Sequence, residues 1–172
     1  MTCRVQVGIV LCFTGCTAER LPADLIDLFE WKEASVLLDP FEDRPDNVEC
    51  PTSSRVIEFE EETAFLEIDT LLCPYVTLYQ ETQVEILAGD TVVFPWGHRE
   101  LEAPVPATGH VAFQIDGVLI EDRLVDIPAS EMDTVVEVEM QENVASGSPV
   151  WLHLHNHGAN QWLFYAAELQ PM

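Results

Sequence analysis

The chain has 172 residues and a formal net charge of −24, from 31 acidic residues against seven lysines and arginines. This length suits a single domain with a substantial core. Nucleic acid is excluded as a partner, because phosphate binding requires a basic face and Lys32 is the only lysine. The simplest interpretation of the acidic surplus is a well-solvated surface, with salt adaptation or attraction of divalent cations as alternatives.

Residues 1–16 have the order of a secretory signal. Arg4 supplies a positive start, residues 7–13 are an apolar run, and Thr14-Gly15-Cys16 ends it with small residues and a cysteine. This order resembles the signal of a bacterial lipoprotein, in which residues 1–15 are removed as a signal peptide. The alternative is a buried N-terminal strand over residues 5–13.

The lipoprotein resemblance implies that Cys16 is lipidated and that the membrane is a partner through this lipid. The protein would then be exported and anchored in the cell envelope. Thr17 follows the cysteine and is not the acidic residue that often retains such proteins at the inner membrane. The resemblance therefore implies the outer membrane.

An acidic segment punctuated by prolines covers residues 16–49. Apolar residues at helical spacing predict one short helix over residues 23–33, and the composition of residues 39–47 predicts a loop. The segment as a whole is interpreted as a tether between the membrane and a following domain.

From residue 50 onward, short β-rich runs separated by turn residues predict one all-β domain over residues 50–172. About ten short strands with little helix indicate an antiparallel β-sandwich or jelly roll. Asp116-Gly117 predicts a tight hairpin between two of them. The predicted strands are 55–59, 64–69, 76–80, 84–87, 91–94, 111–116, 118–125, 134–140, 150–155 and 162–168.

Two cysteines remain available after processing, because Cys3 and Cys12 leave with the signal and Cys16 takes the lipid. An exported location is oxidising, which predicts a disulfide between Cys50 and Cys73. Closing this loop of about 22 residues stabilises the fold by roughly 3 kcal/mol in the chain-entropy model. Two buried free thiols are the alternative.

The histidines are concentrated in the later part of the chain. His153 and His155 alternate with leucines on a predicted strand, so both imidazoles lie on one face. If strand ends meet at one rim, further imidazoles would join them to bind zinc or copper. The alternative is a polar stripe of histidines that hydrogen-bond loop backbone. The candidate metal ligands are His98, His110, His153, His155 and His157.

Three tryptophans provide a second candidate site. Exposed on a sandwich, Trp96, Trp151 and Trp162 would stack on sugar rings or anchor a protein partner. The alternative is that they fill the core.

Residues 153–162, together with residues 95–98, resemble the C-terminal half of uncharacterised predicted lipoproteins of Gram-negative bacteria. Those proteins pair a tryptophan–histidine segment with a closing H-x-H-N-H-G-x-N-x-W motif. The resemblance covers residues 73–169 and brings no activity with it. It implies the Gram-negative cell envelope and a shared architecture.

No nucleophile elbow, phosphate loop, H-E-x-x-H or dinucleotide motif is present. The sequence therefore favours a non-catalytic envelope lipoprotein whose sandwich binds a protein or glycan partner. The alternatives are a metal-binding domain that uses the histidines, and a metal-dependent enzyme with an open coordination position.

Overall fold

The computed structural model describes residues 19–172, so the predicted signal peptide and Cys16 lie outside the described residues. Within this range the chain forms twelve strands and one 3₁₀ turn at Thr52–Ser54. In chain order the strands are β1 Ala23–Asp24, β2 Lys32–Glu33, β3 Arg55–Glu60, β4 Thr63–Asp69, β5 Tyr75–Glu81, β6 Thr91–His98, β7 Ala107–Ile115, β8 Val118–Ile127, β9 Met132–Glu139, β10 Pro149–His155, β11 Gln161–Tyr165 and β12 Glu168–Gln170.

The strands form two antiparallel sheets. In the larger, seven-stranded sheet, β9 pairs along the whole of β6, while β11 and β12 share the other edge of β6. From there β11 continues to β4 and β3, and β12 pairs with β1. The smaller, five-stranded sheet has the order β2-β5-β10-β7-β8.

The core lies between the two sheets and follows from the alternation of apolar residues. On β10, Val150, Leu152 and Leu154 are buried and point inward. Phe94 of the larger sheet stacks on Phe113 of the smaller sheet, with 4.0 Å between ring centroids. The predicted antiparallel β-sandwich is confirmed.

The hairpin between β7 and β8 turns at Asp116-Gly117, as predicted. Both residues have positive φ angles, 48° and 85°, which a two-residue turn of this kind requires. The predicted strand over 84–87 forms only a single bridge, between Ile86 and Val144. The predicted strand over 162–168 divides into β11 and β12.

The helix predicted over residues 23–33 is wrong. Its two ends are the short strands β1 and β2, which pair with β12 and β5 in different sheets. Leu25 and Ile26 between them are buried in the core. The apolar spacing that suggested a helix thus reflects insertion of an irregular segment between the sheets.

Residues 16–49 were interpreted as a tether between the membrane and the domain. The described part of this segment, residues 19–49, instead packs on the sandwich, so the interpretation is corrected for these residues.

Cys50 and Cys73 form the predicted disulfide, with 4.8 Å between their Cα atoms. The disulfide joins the end of the N-terminal segment to the loop before β5.

No helix in residues 19–172 is long and apolar enough to cross a membrane.

Candidate functional site

Residues 39–44 cross the outer face of the smaller sheet, and we call this segment the strap. Phe41 stacks on the His153 ring with 4.3 Å between centroids. The Tyr75 hydroxyl donates a hydrogen bond of 2.7 Å to Asp39 Oδ2. The strap therefore removes His153 from solvent although this side chain points away from the core.

The strap brings the Asp43 carboxylate to three histidines, and we call these four residues the histidine centre. Asp43 Oδ2 lies 3.0 Å from His110 Nδ1, 3.0 Å from His155 Nδ1 and 3.2 Å from His153 Nε2. His153 and His155 alternate along β10, and His110 lies opposite His155 on β7. Strand register thus brings the three imidazoles together.

Further contacts fix two of the rings. His110 Nε2 lies 2.9 Å from Asp122 Oδ1 on β8, so this ring lies between two carboxylates. His153 Nδ1 lies 3.0 Å from the Thr77 hydroxyl on β5. Each of these rings is thereby held through both nitrogens, which sets its orientation toward Asp43.

Burial and neighbouring charges shift the pKa values of the residues in the histidine centre in different directions. Burial opposes ionisation of Asp43, but hydrogen bonds from His153, His110 and His155 outweigh it and hold its pKa well below the usual range. Burial lowers the pKa of His153. Burial also opposes the charge on His110, but Asp43 and Asp122 outweigh it and raise the pKa of His110. The centre pairs an ionised carboxylate with a neutral buried imidazole.

The other two histidines lie apart from the centre. His98 is buried on β6 of the larger sheet, where Nδ1 lies 2.8 Å from the Arg99 carbonyl oxygen and the ring packs on Trp162. It is therefore removed from the candidate ligands. His157 follows β10 and is exposed, with its ring centroid 5.0 Å from that of His155.

Two of the three predicted surface tryptophans lie in the core. Trp96 and Trp162 are fully buried and stack with 6.1 Å between ring centroids. Trp96 Nε1 donates a hydrogen bond of 3.2 Å to Glu121 Oε2. Burial removes both from the candidate glycan contacts and leaves Trp151.

Trp151 and Tyr79 form an aromatic pair on the outer face of the smaller sheet. Their ring centroids are 5.5 Å apart, and both side chains are half-buried. The register places Lys32 beside Tyr79 and Gln114 beside Trp151. Residues paired in this way share one face. We call this row of four residues the aromatic platform.

The loop after β10 contains most of the polar residues of the H-N-H-G-x-N motif, and it has a structural role. Asn156 Nδ2 donates to the Thr70 hydroxyl at 2.7 Å, and Asn160 Oδ1 accepts the Glu102 N–H at 2.7 Å. Gly158 has a φ of 107°, and a Cβ there would collide with the Glu102 carbonyl oxygen. The motif therefore fixes the loops at one end of the sandwich.

These loops line an open groove of about 1120 Å³ at that end of the sandwich. Its walls come from the loops after β4, before β7 and after β10, and His157 is one of its lining residues. His157 therefore lies between the groove and His155 of the histidine centre.

No family model and no curated protein matches the sequence. Among solved structures, TmCBM27, a carbohydrate-binding module described for specific mannan recognition, matches with a TM-score of 0.52 at 8% identity. The match covers 89% of this chain and 96% of that chain. A family 11 carbohydrate-binding module from Clostridium thermocellum matches at 10% identity with a TM-score of 0.46, covering 89% and 98%. The fold is thus a β-sandwich of the kind found in carbohydrate-binding modules.

Sequence reasoning missed Asp43 and Tyr79. Asp43 is one of 31 acidic residues, and no local pattern distinguishes it from the others. Tyr79 alternates with inward-pointing Leu78 on a predicted strand, so its outward orientation was predictable. That Tyr79 lies beside Trp151 was not predictable, because the pairing of β5 with β10 depends on the tertiary fold.

Proposed function

We propose that this protein is a binding module for a neutral polysaccharide, displayed at the bacterial cell envelope by a lipid on Cys16. The observation that carries the binding proposal is the aromatic platform. Sugar rings stack on aromatic faces, while flanking polar groups hydrogen-bond their hydroxyls. Tyr79 and Trp151 supply the stacking surface, and Lys32 and Gln114 supply the polar groups on either side.

The fold supports a polysaccharide as the class of ligand. The neighbour TmCBM27 is described as recognising mannan specifically. At 8% identity this likeness concerns the architecture, so the contacts proposed here rest on the aromatic platform of this chain alone.

The charge of the protein supports a neutral glycan over an anionic one. The formal net charge is −24, and Lys32 in the platform is the only lysine. A polyanion approaching this surface meets long-range repulsion, whereas an uncharged sugar chain does not.

Binding is tested by calorimetric titration of the full chain with mannan, xylan, a mixed-linked β-glucan and the anionic alginate. At least one neutral polysaccharide is expected to bind. Trp151→Ala is expected to weaken that binding at least tenfold, or about 1.4 kcal/mol.

The matched control is Phe59→Ala, which removes an exposed aromatic ring from the larger sheet. Its affinity is expected to equal that of the wild type. Equal affinity of Trp151→Ala and Phe59→Ala variants, or a preference for alginate, would contradict the proposal.

The envelope location rests on the signal-like order of residues 1–16, and the Cys50–Cys73 disulfide supports an oxidising compartment. Mass spectrometry of the mature N-terminus from a Gram-negative host tests it. An acylated Cys16 is expected. An intact Met1, or an unmodified Cys16, would contradict lipid anchoring without affecting the glycan proposal.

A second function, metal binding, is favoured by the histidine centre, where three imidazole nitrogens lie within 3.2 Å of one carboxylate oxygen.

A further inference from the structure

We infer that the histidine centre is a metal site, in which Asp43, His110 and His153 hold one divalent transition ion that fastens the strap to the smaller sheet. One ligand atom from each of Asp43, His110 and His153 lies within 4.8 Å of the others. His155 is not one of these ligands, but its Nδ1 lies 3.0 Å from the same carboxylate oxygen and helps to position Asp43. This site is separate from the aromatic platform and does not depend on glycan binding.

The spacing of the ligand atoms fits a tetrahedral ion. Bonds of about 2.1 Å to nitrogen and oxygen place the ligand atoms roughly 3.4 Å apart. The His110 and His153 nitrogens lie 3.0 and 3.2 Å from Asp43 Oδ2, and the fourth position of the tetrahedron is left for a water or another small ligand. Small rotations of the rings and of the carboxylate would therefore accommodate an ion between them.

The hydrogen bonding around Asp43 is incomplete as a purely protein network. Three imidazole nitrogens approach Oδ2, although a carboxylate oxygen offers two lone pairs. Meanwhile Oδ1 of the same group is buried, and although His153 Nε2 lies 3.2 Å from it as well, it accepts no hydrogen bond of good geometry. Buried polar atoms normally have a partner. A cation bound by the carboxylate would satisfy this oxygen, and it would replace the imidazole protons that now face Asp43.

The residues behind the imidazoles match those that surround metal-bound histidines. A ligating histidine usually donates its other N–H to a carboxylate or another oxygen. With an ion bound, Asp122 would accept from His110 Nε2, and Nδ1 would release its proton and direct its lone pair toward the ion. The Thr77 hydroxyl lies 3.0 Å from His153 Nδ1 and can accept its proton, which leaves Nε2 free to bind.

The donor set selects the kind of ion. Imidazole nitrogen with one carboxylate suits Zn²⁺ or Cu²⁺, whereas Ca²⁺ and Mg²⁺ prefer oxygen ligands alone. Cys50 and Cys73 are joined in a disulfide and supply no thiolate.

The consequence is a fixed strap. Asp43 belongs to the strap, whereas His110 belongs to β7 and His153 to β10. An ion shared between them would cross-link the N-terminal segment to the sheet.

The test is a titration of the chelator-stripped full chain with Zn²⁺ at about 0.5 M salt, where diffuse attraction to surface carboxylates is screened. One ion per chain is expected. His110→Ala and Asp43→Asn are each expected to weaken binding at least tenfold. Asp122→Asn, which changes no ligand, is expected to weaken it about 10–100-fold.

The matched control is His157→Ala, which removes the exposed histidine beside the centre and is expected to bind like the wild type. Circular dichroism of each variant establishes that it is folded. A wild type that retains no ion at this salt concentration would overturn the inference. So would wild-type affinity in both His110→Ala and Asp43→Asn.

Two further readouts report on the ligands and the strap. With one equivalent of Cu²⁺, the electron paramagnetic resonance spectrum is expected to show nitrogen couplings that diminish in His110→Ala. Zn²⁺ is expected to slow proteolysis within residues 39–44 of the wild type and not of His110→Ala. An ion that binds without nitrogen couplings and without protecting the strap would overturn the assignment. Failure of polysaccharide binding would leave all these outcomes unchanged.

Discussion

The outer faces of the two sheets differ in solvent exposure, although the same alternation of side chains along a strand directs residues to each face. On β9 of the larger sheet, the outward residues Asp133, Val135 and Glu137 are exposed to solvent. On β10 of the smaller sheet, the outward residue His153 is fully buried beneath the strap. An outward position thus becomes a candidate site when another segment of the chain covers it.

The N-terminal segment creates this difference because it is attached at both sheets. Arg20 donates a hydrogen bond of 2.6 Å to Asp90, next to β6 of the larger sheet. Farther along, Asp43 contacts the histidines of the smaller sheet. The acidic segment therefore leaves the larger sheet's outer face open on β9 and covers His153 on the smaller sheet. The aromatic platform lies farther along the strands β5 and β10 of the smaller sheet.

The largest expected effect comes from the disulfide, which holds the segment where it meets the smaller sheet. Replacing both residues, Cys50→Ser with Cys73→Ser, is expected to reduce the free energy of unfolding by about 3 kcal/mol, because a loop of about 22 residues is no longer closed in the unfolded chain. Urea unfolding measures the change. Wild type under reducing conditions is the control and is expected to lose the same amount. A loss below about 1 kcal/mol would show that the cross-link does not hold the segment.

The contrast between the two outer faces is tested by a matched pair of truncations. His153→Ala is expected to lower the free energy of unfolding by about 2–3 kcal/mol, because it leaves a cavity under Phe41 and unpaired groups on Asp43 and Thr77. Val135→Ala, on the exposed face, is expected to change it by less than about 0.5 kcal/mol. Equal effects of the two changes in urea unfolding would contradict burial by the strap.

A smaller effect, dependent on pH, is expected where the segment meets the larger sheet. Burial raises the pKa of Asp90, but hydrogen bonds from the Leu87 N–H and Arg20 outweigh it and hold this pKa below its ordinary value. The ionised group therefore stabilises the fold above the unfolded pKa of about 3.9. This contribution is lost as pH falls through the folded pKa.

Asp90→Asn is accordingly expected to cost about 1–2 kcal/mol at pH 7 and progressively less below pH ~4. Thermal unfolding across this pH range measures it, with Asp126→Asn as an exposed control. A difference from wild type that stays constant down to pH ~2 would contradict the role of the carboxylate charge.

Much of the fold was predictable from local pattern. Alternating residues located nearly every strand, and Asp116-Gly117 located the hairpin, because period-two burial and positive φ angles are local properties. The same alternation correctly put His153 and His155 on one face. The prediction of a helix over residues 23–33 was wrong because the ends of this segment pair with two different sheets. The apolar spacing alone does not distinguish such a segment from a helix.

The sequence by itself determined the strands, the disulfide and the shared face of His153 and His155, because each depends on near neighbours or on a small number of available partners. Only the tertiary structure decided that Asp43 joins these histidines, that His98 lies in the other sheet and that Trp151 stays at the surface. Those outcomes depend on which strands pair and on where an irregular segment crosses them. Such contacts join residues far apart in the chain, and the packing of the whole sandwich selects them.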